Sequence, residues 1–102
     1  MENAIQDEKG VPKTTLVLRV KYAPVKQPMV QPGTDGNTTL AQAKVLALAH
    51  FGLTEGEIPG GSKIYVLSHD GVEQTDLTVK LDSLADHGHQ VELLLLERFI
   101  QG

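Results

Sequence analysis

The sequence predicts one α+β domain, in which a single helix packs across one face of a mixed sheet of four to five strands. Three segments carry this prediction. Residues 14–22 alternate apolar and polar side chains, residues 40–53 place apolar side chains at helical spacing, and residues 89–97 contain four consecutive leucines. A length of 102 residues with 40% apolar composition suits one domain with a modest core.

The first predicted strand, TTLVLRVKY, has the period of two that is typical of a half-buried strand. A loop over residues 23–27 follows it, because this stretch contains Pro24. Met29 and Val30 can form a short strand, which Pro32 either ends or confines to a sheet edge, since proline donates no ladder hydrogen bond.

The helix is predicted over LAQAKVLALAHFGL, directly after the turn-forming stretch GTDGNTT. Asn37, Thr38 and Thr39 are candidate N-caps, since their side chains can accept a hydrogen bond from the first-turn amides. Gly52 is the expected left-handed C-cap, and Leu53 supplies the apolar contact that accompanies such a cap.

After the loop EGEIPGG, the segment KIYVLSHDGVEQ predicts a hairpin whose turn contains Asp70 and Gly71. The pattern leaves open whether Ile64 and Val66 or Tyr65 and Leu67 face the helix. A looser segment follows, in which Asp82 or Ser83 is expected to cap one helical turn.

The last strand is predicted over residues 89–97, in the middle of the sheet beside the first strand, because it is the most apolar segment. Its two faces follow from the alternation of side chains. One face is expected to carry Val91, Leu93 and Leu95 toward the helix, and the other Glu92, Leu94 and Leu96.

Composition argues against several classes of function. The formal charge of −4 and the lack of tryptophan do not suit a nucleic-acid surface. The lack of cysteine removes a thiol nucleophile, a thiolate metal site and disulfides, and it fits a cytoplasmic chain. No apolar run approaches the roughly 18 residues of a membrane span. Residues 1–14 show no periodicity and are expected to be a flexible tail.

No catalytic constellation, metal site or cofactor is expected, so the chain is predicted not to be an enzyme. His87 and His89 could join a metal site if a carboxylate completed it, but a polar turn entering a strand is the favoured interpretation. Ser68, His69 and Asp70 are consecutive, so their side chains alternate between faces and cannot align as a relay.

The order and spacing of these segments resemble the β-grasp fold of ubiquitin-like proteins, over about residues 14–102. In conjugated ubiquitin-like proteins the final central strand exits into a tail that ends on glycine, and ERFIQG looks like such a tail. The short, acidic, cysteine-free chain also looks like the ubiquitin-like proteins of bacterial conjugation operons. Those proteins act with an activating enzyme, a conjugating enzyme and often an isopeptidase.

The resemblance divides the chain into a flexible tail (1–14), a ubiquitin-like domain (15–97) and a C-terminal tail (98–102). It implies a protein modifier whose Gly102 carboxylate is adenylated by an activating enzyme and conjugated to a target protein. The residues implied in tail recognition are Arg98, Phe99, Ile100 and Gln101.

Two further expectations concern surfaces. Leu94 and Leu96 are expected on the sheet face away from the helix, with Val17 of the neighbouring first strand beside them. The three form a partner-binding face unless a loop or self-association covers them. Lys9 and Lys13 are the expected acceptors if chains form.

Two alternatives stay open. One is a non-conjugated β-grasp binding module or a small subunit of a multiprotein enzyme. The other, sulfur carriage, is weaker, because Gln101 stands where the sulfur carriers have a second glycine. The apolar tail also offers a route to head-to-tail self-assembly, if it docks on the open face of a neighbouring copy.

Overall fold

The computed structural model describes residues 15–85 and 89–102, which form one mixed sheet with one α-helix on one face. The elements in chain order are β1 (Thr15–Tyr22), β2 (Val25–Asp35), α1 (Leu40–Phe51), β3 (Gly56–Ile58), β4 (Gly61–His69), β5 (Val72–Gln74), a 3₁₀ turn (Leu81–Ser83) and β6 (Gln90–Gln101). This architecture confirms the predicted α+β class. The sheet has six strands rather than four to five, because β3, expected as a loop, pairs with the start of β4.

The sheet order is β2-β1-β6-β4-β3, with β5 also paired to β4. β6 runs parallel to β1 as far as the pair Tyr22 and Leu95, and antiparallel to β4 as far as the pair Gly61 and Gln101. The predicted central position of the last strand beside the first is therefore confirmed. Two neighbours satisfy the backbone of the buried leucine run on both edges.

β2 is an edge strand of 11 residues, longer than the predicted short strand. Its pairing with β1 has two register shifts, and it accommodates Pro28 and Pro32 because one side of an edge strand needs no ladder partner. The connection between β1 and β2 is shorter than the loop predicted over residues 23–27 and consists of a turn at Ala23 and Pro24.

α1 begins and ends at the predicted caps. Thr39 is the N-cap, and it forms a capping box with Gln42: the Gln42 N–H donates to Thr39 Oγ1, and the Thr39 N–H donates to Gln42 Oε1 at 2.9 Å. Gly52 closes the helix in the left-handed conformation at φ 68°, which confirms the predicted C-cap. The Leu53 N–H then donates to the Leu48 carbonyl at 2.8 Å.

The core lies between α1 and the facing side of the sheet. In β4, Tyr65 and Leu67 face the helix, so Ile64 and Val66 take the opposite face, which the sequence pattern had left open. The buried apolar residues are Leu16, Leu18, Val20, Met29, Leu40, Ala43, Ala47, Tyr65, Leu67, Leu81, Val91, Leu93 and Leu95.

The predicted β4–β5 turn is confirmed, with positive φ at both Asp70 and Gly71. The expected helical turn is the 3₁₀ turn at Leu81–Ser83, but neither Asp82 nor Ser83 caps it. Both lie inside the turn, which follows Lys80 without a side-chain cap. Main-chain hydrogen bonds fix this turn instead, including one of 2.8 Å from the Leu81 N–H to the Thr38 carbonyl.

β6 is longer than predicted. The pattern placed its end at Glu97, whereas the strand continues to Gln101 and pairs with the first residues of β4. The reason is the β3–β4 hairpin, which presents a strand edge beside residues that were expected to leave the domain.

The capping box generates a test of the helix start. Thr39→Ala should lower the free energy of unfolding by about 1 kcal/mol, because the Gln42 N–H loses its side-chain acceptor. Thr38→Ala, at the neighbouring cap candidate, should cost less than about 0.5 kcal/mol. Urea denaturation measures both variants. Equal losses would contradict the assignment of Thr39 as the cap.

Candidate functional site

The terminal segment, Arg98–Gly102, extends the sheet beyond the helix-covered core. β1 ends opposite Leu95, so among the described residues only β4 pairs with β6 beyond that point. The Gly102 N–H donates to the Gly60 carbonyl at 3.0 Å. The side chains of Phe99 and Ile100 point to opposite faces and are 55% and 49% exposed.

Glu97 marks the boundary between the core part of β6 and the terminal segment. The hydroxyls of Tyr22 and Tyr65 donate to Glu97 Oε1 at 3.5 and 3.3 Å. Burial raises the pKa of both tyrosines, and the adjacent Glu97 carboxylate raises it further. Both hydroxyls therefore stay protonated at neutral pH and remain donors to Glu97.

Glu55 ties the β3–β4 hairpin to the helix. Its Oε2 accepts the Tyr65 backbone N–H at 2.7 Å and lies 2.8 Å from Lys44 Nζ on α1. Burial by itself would raise the pKa of Glu55, but the hydrogen bonds and charge of these two partners lower it below its ordinary value. The hairpin that flanks the terminal segment is thus anchored by an ionised carboxylate.

The outer face of the sheet, on the side away from α1, carries the predicted partner-binding residues. Leu94 is 37% exposed, while Val17 and Leu96 are half-buried. Val66 lies directly opposite Leu96 and extends the apolar strip. Val17 does not lie beside Leu94, because it pairs with Gln90, about 13 Å further along the strand.

Charged side chains border this apolar strip. Lys21 occupies the position beside Leu94 and forms an ion pair with Glu92 at 3.1 Å. Arg98, which is predicted to act in tail recognition, forms an ion pair with Glu73 of β5 at 3.2 Å. Sequence alternation predicted the outer face for Glu92, Leu94, Leu96 and Val17. The register between strands, which decides which residues are adjacent across the sheet, has no local signal.

Several predicted features give no catalytic arrangement within the described residues. No group of three metal-binding side chains occurs there, and no helix there is long and apolar enough to cross a membrane. His69 Nε2 lies 3.8 Å from Asp70 Oδ2, but Ser68 is buried while Asp70 is exposed in the turn. Three residues named in the sequence analysis lie outside the described ranges: Lys9, Lys13 and His87.

A comparison with solved structures identifies the fold. Neither a protein-family model nor a curated protein sequence matches the chain. The structure of a ubiquitin from Caldiarchaeum subterraneum aligns with a TM-score of 0.61 at 19% identity, covering 86% of this chain and 99% of that one. At this identity the likeness concerns the fold. It confirms the predicted ubiquitin-like β-grasp.

The outer face yields a stability test with a matched control. Leu94→Asp should lower the free energy of unfolding by about 1–2 kcal/mol, because Leu94 is partly exposed and Lys21 lies beside it. Leu93→Asp should unfold the protein, since it buries an unpaired carboxylate. Circular dichroism with urea denaturation compares them. Unfolding of both variants would show that the outer face is part of a core.

Glu55 yields a pH-dependent prediction. Glu55→Gln should lower the free energy of unfolding at pH 7 by about 1–2 kcal/mol, because it removes the charged acceptor of Lys44 and Tyr65. A carboxylate with a lowered folded-state pKa stabilises above its unfolded pKa, and this contribution is lost as the pH falls through the folded pKa.

The difference in the free energy of unfolding between wild type and Glu55→Gln should therefore decrease as the pH falls below 4.5, the ordinary carboxyl pKa. Urea denaturation at several pH values follows it. Glu57→Gln, on the exposed side of the same hairpin, controls for the change in net charge. A difference that stays constant down to pH 3 would contradict the role assigned to Glu55.

Proposed function

We propose that this chain is a ubiquitin-like protein modifier whose Gly102 carboxylate is adenylated by an activating enzyme and then joined to a target protein. The observation that supports the proposal is the course of β6. A central strand of a ubiquitin-like sheet continues past the end of β1 and places an exposed glycine at its tip. The rest of the domain serves as the part that partners recognise.

The proposed chemistry belongs to the partner and uses ATP. An oxygen of the Gly102 carboxylate attacks the α-phosphorus of ATP, and the bond to pyrophosphate breaks. A thiol, amine or hydroxyl then attacks the acyl-adenylate, loses its proton and displaces AMP, which leaves a thioester, amide or ester. Glycine suits this step because it has no side chain to obstruct a narrow active-site channel.

The terminal segment offers the activating enzyme recognisable side chains. Phe99 and Ile100 present apolar surface on opposite faces, flanked by Arg98 and Gln101. Such exposed apolar residues beside a reacting carboxylate favour recognition by a groove that encloses an extended chain. Arg98 would have to leave Glu73 to contact a partner directly.

The outer face is the proposed contact for the conjugating enzyme and for an isopeptidase. Leu94, Leu96 and Val66 form its apolar centre, and Lys21 and Glu92 lie at its border. An apolar centre with a polar rim is the usual composition of a protein interface. We place this activity in the cytoplasm, and Lys9 and Lys13 remain the proposed acceptors if chains form.

One observation favours the alternative function, a non-conjugated β-grasp binding module. Residues 99–101 are not a free tail, because they pair with Gly61–Lys63 of β4. A terminal strand that completes a sheet is also what a purely structural role requires.

Intact-mass analysis separates the two functions. The protein is incubated with ATP and an adenylating enzyme from its gene neighbourhood, or a panel of such enzymes. Wild type should gain a covalent adduct through its terminal carboxylate, which hydroxylamine releases when it is a thioester. A variant lacking Gly102 should form none.

A variant with one alanine appended after Gly102 is the matched control, since it keeps every residue but moves the reacting carboxylate. It too should form no adduct. If wild type stays unmodified by an enzyme that is active on ATP, or if the deletion variant reacts equally well, conjugation through Gly102 is wrong and the binding-module function is favoured.

A further inference from the structure

Gly61 is the point where the terminal segment approaches β4 most closely. A Cβ atom at this position would overlap the carbonyl oxygen of Ile100 and would lie 3.0 Å from the Gly102 nitrogen. Unlike Gly60 at φ 87°, Gly61 has no left-handed backbone. The glycine is therefore required by the neighbouring strand and not by the turn.

Backbone hydrogen bonds along one edge hold the terminal segment. Amides of an antiparallel strand point alternately to its two neighbours. Since the Gly102 N–H points to Gly60, the amides of Arg98 and Ile100 also point to β4. Those of Phe99 and Gln101 point to the other edge, where no strand of the described residues pairs beyond Leu95.

Apart from the exposed ion pair between Arg98 and Glu73, the side chains add little to this attachment. Every residue from Arg98 to Gly102 is exposed, whereas Val91, Leu93 and Leu95 in the same strand are fully buried. A segment with exposed side chains and few buried contacts opens at lower free energy than the core. We expect such opening to stop at Glu97, which accepts hydrogen bonds from two tyrosine hydroxyls.

We propose that the β3–β4 hairpin (Gly56–Lys63) is an internal latch that withholds Gly102 from the activating enzyme. While residues 99–102 pair with the hairpin, the carboxylate belongs to a sheet of three strands (β6, β4 and β3) spaced about 4.8 Å apart. This sheet is too wide for a channel that admits one extended chain. The segment must leave the hairpin before its carboxylate reacts. This inference rests on the proposed function.

Release also defines the surface that the partner must offer. When the segment detaches, the amides of Arg98 and Ile100 lose their acceptors in β4, and that of Gly102 loses the Gly60 carbonyl. Unpaired amides are costly when buried. A partner that encloses the segment therefore has to replace them with an exposed strand edge of its own. The latch and the partner compete for the same edge of β6.

An engineered disulfide can lock the latch. Lys63 and Phe99 face each other as a non-hydrogen-bonded pair, in which Cα atoms lie about 4.5 Å apart, within the range of disulfides. Because the chain has no cysteine, the double variant Lys63→Cys, Phe99→Cys holds one disulfide. Its oxidised form should yield adduct at least about tenfold more slowly than its reduced form.

The comparison of the two redox forms is internal, so the loss of the Phe99 side chain affects both equally. Reduction should restore the rate of the oxidised sample. Equal rates for the oxidised and reduced forms would overturn the latch, while conjugation through Gly102 would stand.

A second experiment does not depend on conjugation. Gly61→Ala should displace the terminal segment from β4, because the added Cβ overlaps the Ile100 carbonyl oxygen. A carboxypeptidase should then remove residues from the C-terminus about tenfold faster than in wild type, as measured by intact mass. Gly71→Ala is the matched control. It strains the β4–β5 turn at φ 81°, where no atom lies within 4 Å of the added Cβ, and it should be trimmed like wild type.

The two experiments distinguish failure of the latch from failure of the proposed function. If no form yields an adduct, the proposed function fails and the latch fails with it, whereas the trimming rates still decide whether pairing with β4 holds the terminal segment. Equal trimming of wild type and Gly61→Ala would overturn the latch. Faster trimming of Gly71→Ala to the same extent would also overturn it, since general destabilisation would then explain the release.

Discussion

Backbone pairing along β6 is the constraint on which the rest of the structure depends. Up to Leu95 the strand has a neighbour on each edge, and its alternate residues Val91, Leu93 and Leu95 fill the core beneath α1. Past Leu95 one neighbour ends while the other continues. The same strand thus contributes three buried side chains to the core and then continues into residues 98–102, which are all exposed. A change in pairing divides the two parts.

This division allows a stable domain to end in a segment that is held more weakly, as the proposed function requires. The core part is held by buried apolar area, which contributes about 1.5–3 kcal/mol for each fully buried leucine. The terminal segment is held by single-edge backbone hydrogen bonds, each of which contributes about 1 kcal/mol net. Glu55 and Glu97 stand at the boundary, where they anchor the hairpin and the strand that it holds. We therefore expect the segment to detach at a lower free energy than the rest of the sheet.

Local signals in the sequence predicted most of the fold. Thr39 and Gly52 carry their own capping chemistry, and alternation in β1 and β6 identified the buried face. Features that depend on distant partners were missed. β3 contains three exposed residues with no apolar pattern, and the extension of β6 exists because Gly61 admits it from nearly 40 residues away. The predicted position of Val17 beside Leu94 was also wrong, because strand register is set by tertiary contacts. Lys21 occupies that position.

Residue-resolved hydrogen exchange along β6 tests most directly the claim that the terminal segment is held on one edge. After correction for intrinsic rates, the amides of Arg98 and Ile100 should exchange more slowly than those of Phe99 and Gln101, and all four faster than that of Leu93. Such an alternation within one strand follows when one edge pairs with β4 and the other is paired by no strand of the described residues. Uniform rates from Arg98 to Gln101, whether all fast or all as slow as Leu93, would contradict the account.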